Sequence, residues 1–391
     1  MYNLLFTWIF TRLILYMKLF LHSPLLKSNL SETYALAFSN AKELYVVSAY
    51  LTEWDSSLVL NKHCENFRLI VGKDFGITRK DACIKAMKWL PAERKSQFLI
   101  ADNILGFHPK AAFWKDNKDN YYTLIGSSNL TKAAFETNYE ANIFSQISEQ
   151  DFDNAKNWIN EIAEKSVVIS EDWLEGYAEG KQPHQPINRK TSGGVIKSLK
   201  LPHPKGSLEL VKNRRKQLKK HKQYKEELHK LFAACAEGKI TSTEFYSKLP
   251  KLWSWENGNR LQGMGWERQG KASDFTELSK SFIKILRAKD FERDDVTVRE
   301  IDRLKNLKVS TRKAFFSEML CLTFPKRYPV LNKPVQEYLN AIRFRAPKGA
   351  SEGARYLDLA RKLRSSLAQN PNHPAKSLAE LDTVIWLEYG E

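Results

Sequence analysis

Cysteine is scarce in this chain, and the few cysteines present show no spacing typical of a metal site or a disulfide framework. The 391 residues contain four cysteines, none of them in a Cys-x-x-Cys pair: Cys64, Cys83, Cys235 and Cys321. The eight histidines show no ligand spacing with these cysteines. The pattern therefore excludes a zinc knuckle and a secreted disulfide-rich domain, and it favours the reducing cytoplasm as the location.

The sequence also lacks an uninterrupted apolar stretch of membrane-spanning length. The most apolar segment is residues 4–21, where Arg12 and Lys18 intervene before 18 apolar residues accumulate. No basic stretch precedes this segment and no small-residue cleavage site follows it, so a signal peptide is not predicted. We expect translation to start at Met17, which makes residues 1–16 an apolar extension that is not native. A membrane anchor and an added strand or helix are the alternatives.

Acidic residues are few relative to basic ones. The chain has 45 Asp and Glu against 62 Lys and Arg, which gives a net charge of +17 and a pI of about 9.5. A hydrophobic content of 42% is that of a globular protein, and 391 residues suffice for two or three domains with their own cores. The positive charge favours a nucleic acid partner over an acidic membrane surface, with a generally basic soluble protein as the alternative.

Two short apolar runs with turn residues between them predict a β-hairpin. The runs are residues 111–114 and 121–125, and Asn117, Asp119 and Asn120 supply the turn chemistry. Alternation of such strands with helical patterns predicts an α/β sheet domain over residues 17–178. Its predicted helices are 29–42, 81–89 and 151–165, and its other strands are 44–51, 67–72 and 142–145.

Polar residues accompany both strands of the hairpin. His108 and Lys110 are two residues apart, so an extended chain places their side chains on one face. Gly126-Ser127-Ser128-Asn129 follows the second strand directly, and Asn138-Tyr139-Glu140 comes soon after. A histidine, a lysine and an asparagine at strand ends indicate a site for an anion.

These motifs in series resemble the phospholipase D superfamily over roughly residues 17–165. The resemblance is greatest to its single-copy nuclease branch, which includes metal-independent restriction endonucleases. It implies a phosphodiesterase that forms a phosphohistidine intermediate, with His108 as the nucleophile and with Lys110 and Asn129 holding the phosphate oxygens. Glu140 is implied to orient the imidazole, as the third member of a triad does. No metal ion or other cofactor is implied.

Three further residues are predicted to contact the substrate phosphate. Ser127 and Ser128 lie in the glycine-led loop beside Asn129 and offer hydroxyl donors, although turn formation alone also accounts for them. Lys115 stands where the wider family often has an aspartate. We interpret Lys115 as an added phosphate contact or as a residue with no part in the site.

Only one complete motif set is found. A second His-x-Lys, His203-Pro-Lys205, lies between prolines without a flanking strand or a following Gly-Ser-x-Asn, so we interpret it as coincidence. The resemblance then implies a symmetric homodimer in which each protomer gives one His-Lys-Asn set to a shared site.

The second half of the chain is predicted to be a basic helical domain, residues 207–391, after a linker at 179–206. Lysine and arginine dominate residues 212–230, and such a helix attracts phosphate backbones without reading sequence. A solvated helix without a ligand is the alternative. The predicted DNA contacts are Arg214, Arg215, Lys216, Lys219 and Lys220. Further predicted helices are 275–288, 299–307, 310–323, 333–343, 352–367 and 377–389.

Taken together, the sequence predicts a cytoplasmic, metal-independent endonuclease that acts on DNA, or on RNA, in restriction or antiphage defence. Partner proteins of such a defence system are expected, and contact with a membrane is not. A lipid phosphodiesterase or phosphatidyltransferase of the same superfamily is one alternative. A non-catalytic nucleic-acid-binding subunit is the other.

Overall fold

The computed structural model describes residues 17–180, 198–261, 270 and 272–390. These residues form two compact units. The first unit comprises the described residues of Met1–Trp89, Gln97–Ser166 and Ala178–Gly193, and the second comprises those of Leu90–Ser96, Val167–Tyr177 and Gly194–Glu391. The predicted N-terminal extension 1–16 and most of the predicted linker 179–206 lie outside the described residues, so the predicted domain boundaries stay predictions.

Seven strands of the first unit lie side by side in a mixed sheet, in the order β1-β7-β6-β5-β2-β3-β4. Strand β2 runs parallel to β3 and β3 to β4, whereas the pairs β1–β7, β7–β6, β6–β5 and β5–β2 are antiparallel. The strands are β1 (Met17–His22), β2 (Ala41–Ser48), β3 (Asn66–Val71), β4 (Phe98–Ile100), β5 (Lys110–Asp116), β6 (Tyr121–Gly126) and β7 (Glu140–Ile147).

Four helices complete the first unit and confirm the predicted α/β class. They are α1 (Leu30–Asn40), α2 (Lys80–Trp89), α3 (Lys132–Glu136) and α4 (Glu149–Glu164). Strands β2 and β3 are buried along almost their whole length, as the apolar runs in their sequences predict. The predicted strand 44–51 is displaced, because β2 ends at Ser48 and the backbone N–H of Tyr50 donates to the Asn129 side chain instead of continuing the sheet.

The predicted hairpin is confirmed as β5 and β6. Ala111 pairs with Ile125 and Lys115 pairs with Tyr121 in antiparallel register. Asp116 closes the turn, since one of its carboxylate oxygens accepts from the backbone N–H groups of Lys118 (2.8 Å) and Asn120 (2.9 Å). The N-terminal end of β5, at Lys110, therefore lies at the opposite end of the hairpin from the turn, beside Ser48 at the end of β2.

The second unit is built mainly of helices, as predicted for the C-terminal half. A group of stacked and edge-on aromatic rings forms its core, with Phe232 4.2 Å from Phe282 and 4.9 Å from Phe245 between ring centroids. Among the described residues, no helix is both long enough and apolar enough to span a membrane. The second unit contains the two-residue strand β8 (Val167–Val168). Its helices are α5 (Glu171–Gly176), α6 (Ser207–Ala236), α7 (Ser242–Lys248), α8 (Phe275–Arg287), α9 (Asp290–Asn306), α10 (Ala314–Thr323), α11 (Lys333–Ala341), α12 (Glu352–Gln369) and α13 (Leu378–Tyr389).

The basic helix α6 is partly a core element. Arg214 is only 4% exposed and forms a 2.9 Å ion pair with the equally buried Asp382. Its guanidinium also donates to the carbonyl oxygens of Ala379 and Leu261. The predicted DNA contact of Arg214 is therefore wrong, because this guanidinium already has its partners inside the unit and a phosphate cannot reach it.

The other predicted DNA contacts of α6 lie at the surface. Arg215 forms a 2.9 Å ion pair with Glu380 while about half of its side chain stays exposed. Lys216, Lys219 and Lys220 are exposed, and the described residues include no ion-pair partner for them. One exposed side of α6 thus has three lysines without an ion-pair partner among the described residues.

We expect Arg214→Met to lower the free energy of unfolding by about 3–5 kcal/mol, because it leaves the Asp382 carboxylate buried without its partner. Urea unfolding followed by far-UV circular dichroism measures the change. Lys216→Met, on the same helix and at the surface, is the matched control and should stay within about 0.5 kcal/mol of the parent. Equal stability of the two variants would contradict the buried ion pair.

Candidate active site

His108 and Lys110 lie at the start of β5. His108 precedes the strand and is exposed, and Lys110 is its first residue. The Lys110 ammonium is 3.0 Å from His108 Nδ1 and donates to the His108 carbonyl oxygen at 3.1 Å. Partial burial lowers the pKa of His108, and the charge of Lys110 lowers it further. The imidazole is therefore neutral at neutral pH, which is its nucleophilic form.

The loop before His108 is anchored by residues that follow the ends of β2 and β3. The carboxylate of Asp74 accepts a 2.9 Å hydrogen bond from the backbone N–H of Gly106, whose φ of +68° favours glycine. Phe107 packs against Gly72, where an added Cβ would lie 3.0 Å from the phenyl ring and 2.4 Å from a backbone oxygen. Tyr50 contacts the His108 ring edge-on, with the centroids 5.8 Å apart. These contacts fix the position from which the imidazole faces the site.

Asn129 is held by the end of β2. Its Oδ1 accepts from the backbone N–H of Tyr50 at 3.2 Å and lies 3.3 Å from the hydroxyl of Ser48. The same hydroxyl, on a side chain 1% exposed, accepts from the N–H of Leu130 at 3.1 Å. Ser48 is also the register partner of Lys110 across β2 and β5. Because the amide oxygen of Asn129 is occupied, its NH₂ group is the part left to donate to an anion.

Glu140, the first residue of β7, is bound by the loop that follows β6. The hydroxyl of Ser127 donates a short hydrogen bond to one carboxylate oxygen, and the Asn138 side chain donates to the other at 3.1 Å. The implied contact between Glu140 and the His108 imidazole is not found among the described residues. The charge of Glu140 instead acts on Lys110, where it opposes the lowering of the lysine pKa that burial causes.

Ser128 fastens the loop and does not face the site. Its side chain is 2% exposed, its hydroxyl accepts from Asn142 Nδ2 at 2.8 Å, and its N–H donates to Asn142 Oδ1 at 3.2 Å. At Gly126 an added Cβ would lie 2.3 Å from that same Asn142 oxygen, so only glycine fits there. The predicted phosphate contact of Ser128 is therefore wrong, whereas Ser127 lies at the site but gives its proton to Glu140.

Lys115 lies outside the site. It is five residues along β5 from Lys110, which corresponds to about 17 Å, and the odd spacing turns its side chain to the other face of the sheet. Its ammonium forms a 2.9 Å ion pair with Asp119 in the hairpin turn and lies 5.3 Å from the centroid of the Tyr121 ring. The predicted phosphate contact of Lys115 is wrong, and the second interpretation, that it has no part in the site, is the one the structure favours.

The fold thus brings His108, Lys110, Asn129 and Glu140 to one end of β2, β5, β6 and β7. Sequence reasoning missed Ser48 and Tyr50, which hold Asn129. A serine and a tyrosine directly after the apolar run of β2 were the available signal, but only the pairing of β2 with β5 identifies Ser48 as the neighbour of Lys110.

Residues 28–174 match the family model of the NgoFVII restriction endonuclease N-terminal PLD domain. The N-terminal part of this chain is therefore similar to a phospholipase D-type domain. The match covers less than half of the chain. Among solved structures, NucT from Helicobacter pylori is similar at 17% identity, covering 40% of this chain and 99% of its own, with a TM-score of 0.31. No curated protein matches the chain.

Within the residues that the structure describes, no three His, Cys, Asp or Glu side chains are grouped so that they could hold a metal ion. The predicted independence from metal ions stays a prediction about the reaction.

Proposed function

We propose that the phospholipase D-like domain cleaves DNA phosphodiester bonds without a metal ion, through a covalent phosphohistidine on His108. The observation that carries this proposal is the imidazole of His108 3.0 Å from the Lys110 ammonium, at a strand end shared with Asn129. Burial and the lysine charge both lower the pKa of His108, which favours the neutral nucleophile. The matching family is named for a restriction endonuclease, which supports DNA as the substrate. The net charge of +17 supports a polyanionic substrate as well.

In the first step a nitrogen of His108 attacks phosphorus, the bond to the leaving oxygen breaks, and a general acid protonates that oxygen. Lys110 and the free NH₂ of Asn129 bind the non-bridging oxygens, whose negative charge grows in the transition state. The charge of Glu140 opposes the lowering of the Lys110 pKa that partial burial causes. In the second step the general acid of the first step, now a base, takes a proton from water as the water oxygen attacks phosphorus, the phosphorus–nitrogen bond breaks, and the neutral imidazole is restored.

The general acid is proposed to be His108 of a second protomer. Each chain carries one complete motif set, and His203, the other histidine in a His-x-Lys, is exposed in the second unit beside His373. A symmetric homodimer would supply the second histidine without any further motif. The setting proposed for this enzyme is restriction or antiphage defence in the cytoplasm, together with partner proteins of that system.

The surface lysines of α6 are proposed to bind the DNA backbone. Lys216, Lys219 and Lys220 are exposed and have no ion-pair partners among the described residues, and Arg215 keeps about half of its side chain exposed. Such charges bind phosphates of any sequence by releasing counterions. The helix therefore adds affinity and leaves recognition of a particular sequence to other residues.

The first prediction concerns the chemistry. In excess EDTA at low salt, the parent should cleave plasmid DNA, and His108→Ala should lower the rate by at least about 10³-fold, because the nucleophile is gone. Quenching the parent reaction with alkali should trap labelled DNA on the protein, since a phosphohistidine survives base and is hydrolysed by acid. Agarose gels and denaturing protein gels give the two measurements.

His203→Ala is the matched control, since it removes the histidine of the other His-x-Lys and should cleave at the parental rate. Cleavage that requires added magnesium, or that persists in His108→Ala, would refute the mechanism. Binding of DNA without cleavage would favour the non-catalytic subunit, and hydrolysis of phospholipid vesicles alone would favour the lipid enzyme.

The second prediction concerns the shared site. Parent and His108→Ala subunits are mixed in equal amounts and allowed to exchange. If each site needs a histidine from both protomers, activity should fall to roughly one quarter of that of undiluted parent, because only parental dimers are active. Analytical ultracentrifugation should show a dimer. A monomer that cleaves at the full rate, or an activity that halves on mixing, would rule out the shared site.

The third prediction concerns α6. Replacing Lys216, Lys219 and Lys220 together by glutamine should weaken DNA binding equally for all sequences. The slope of the logarithm of the binding constant against the logarithm of the salt concentration should become shallower by about 0.9 per lost phosphate contact. The control replaces Lys230, Lys239 and Lys280, which carry the same charge but pair with neighbouring glutamates. Fluorescence anisotropy at several salt concentrations measures the DNA affinity of both triple variants. Equal losses in the two triple variants would mean that only net charge matters.

A further inference from the structure

A cavity of about 460 Å³ in the first unit lies next to the predicted catalytic residues. One of its lining residues is Leu130, which follows Asn129 and donates its N–H to Ser48. Another is Tyr34, which lies near enough to Glu140 for the charge of that carboxylate to help raise the tyrosine pKa, after the larger effect of burial. The volume falls in the usual range for small-molecule sites. A group attached to a phosphate at the active site would therefore have this cavity within reach.

Aromatic rings form much of the cavity wall. The rings of Tyr34 and Phe135 contact each other edge-on, with centroids 5.5 Å apart, and Trp54 lines the cavity while only 3% exposed. Phe135 is the partly exposed ring of the three, and stacking on such a ring is what holds unpaired bases in proteins that bind single-stranded nucleic acid.

One buried donor in the wall has no partner. The indole N–H of Trp54 is buried and has no acceptor within the residues that the structure describes. A buried donor of this kind is costly unless something accepts from it, so the indole points to a polar ligand with an acceptor atom. The hydroxyl of Tyr34, which also lines the cavity, makes no hydrogen bond with a described residue.

The carboxylates at the cavity differ in how far they are already engaged. Asp55 accepts from the N–H and hydroxyl of Ser57 at 2.8 and 2.6 Å, and Glu136 lies 3.9 Å from the ammonium of Lys132. Glu53, by contrast, lines the cavity and has no ion pair or hydrogen bond with any described residue. A free carboxylate repels phosphate but accepts hydrogen bonds from amino groups, as Glu and Asp do from cytosine N4.

We propose that this cavity binds a nucleobase next to the scissile phosphate, stacked on Phe135, with Glu53 accepting from its exocyclic amino group. The inference rests on the proposed function and deepens it, because it assigns a preference for certain bases at the cut. Adenine, cytosine and guanine carry an exocyclic amino group, whereas thymine and uracil present carbonyl oxygens that a carboxylate repels. The enzyme should therefore disfavour thymine at one position beside the cut.

The test sequences the ends produced when the full-length protein cleaves single-stranded DNA with random bases, in EDTA. The parent should cut with thymine depleted roughly tenfold at one flanking position, the size expected for one good carboxylate contact. Glu53→Gln should lose most of that depletion, because an amide can also donate to thymine. Tyr34→Phe keeps the ring and removes the hydroxyl, so it should raise KM on the preferred sequence more than it lowers kcat.

Glu32→Gln is the matched control, since Glu32 is an exposed carboxylate in the first turn of α1 that does not line the cavity, and its base preference should equal that of the parent. A parent that cleaves without any preference overturns the inference while leaving the proposed function standing. The same holds if Glu53→Gln keeps the parental preference. A parent that cleaves no DNA overturns the proposed function, and this inference with it.

Discussion

The antiparallel pairing of β2 with β5 is the constraint on which the site depends. It places Ser48 opposite Lys110, and the hydroxyl of Ser48 reaches across to Asn129 and Leu130. A shift of one residue in this register would turn Ser48 to the other face of the sheet and release Asn129. The buried apolar runs of β2 and β3 fix the register, so the core of the domain and the geometry of the site have the same cause.

The loop after β6 divides its work between neighbouring residues. Ser127 binds Glu140, Ser128 binds Asn142, and Asn129 turns toward Ser48 and Tyr50. Two consecutive residues of this loop therefore bind β7, and the third is held by the residues at the end of β2. Close contact at Gly126 brings β6 and β7 together at the point where this division begins.

Positive charge in the second unit also has two separate uses. Arg214 neutralises the buried Asp382, while the lysines that follow on α6 stay at the surface. Burial explains the difference, because a buried carboxylate needs a charged partner beside it, and Arg214 lies on the inner side of α6 whereas the lysines lie on the outer side. Net charge alone therefore overstates how much of this helix can meet a phosphate backbone.

The sequence by itself determined the α/β class, the hairpin and the helical second half, because these follow from local periodicity. Its resemblance to a known family supplied the prediction of His108, Lys110, Asn129 and Glu140 as site residues, which the fold brings to one end of the sheet. Only the tertiary structure decided that Ser48 and Tyr50 hold Asn129, that Lys115 is remote from the site and that Arg214 is buried. Each of these depends on contacts between segments far apart in sequence, or on which side of an element faces the core, and single residues carry no such information.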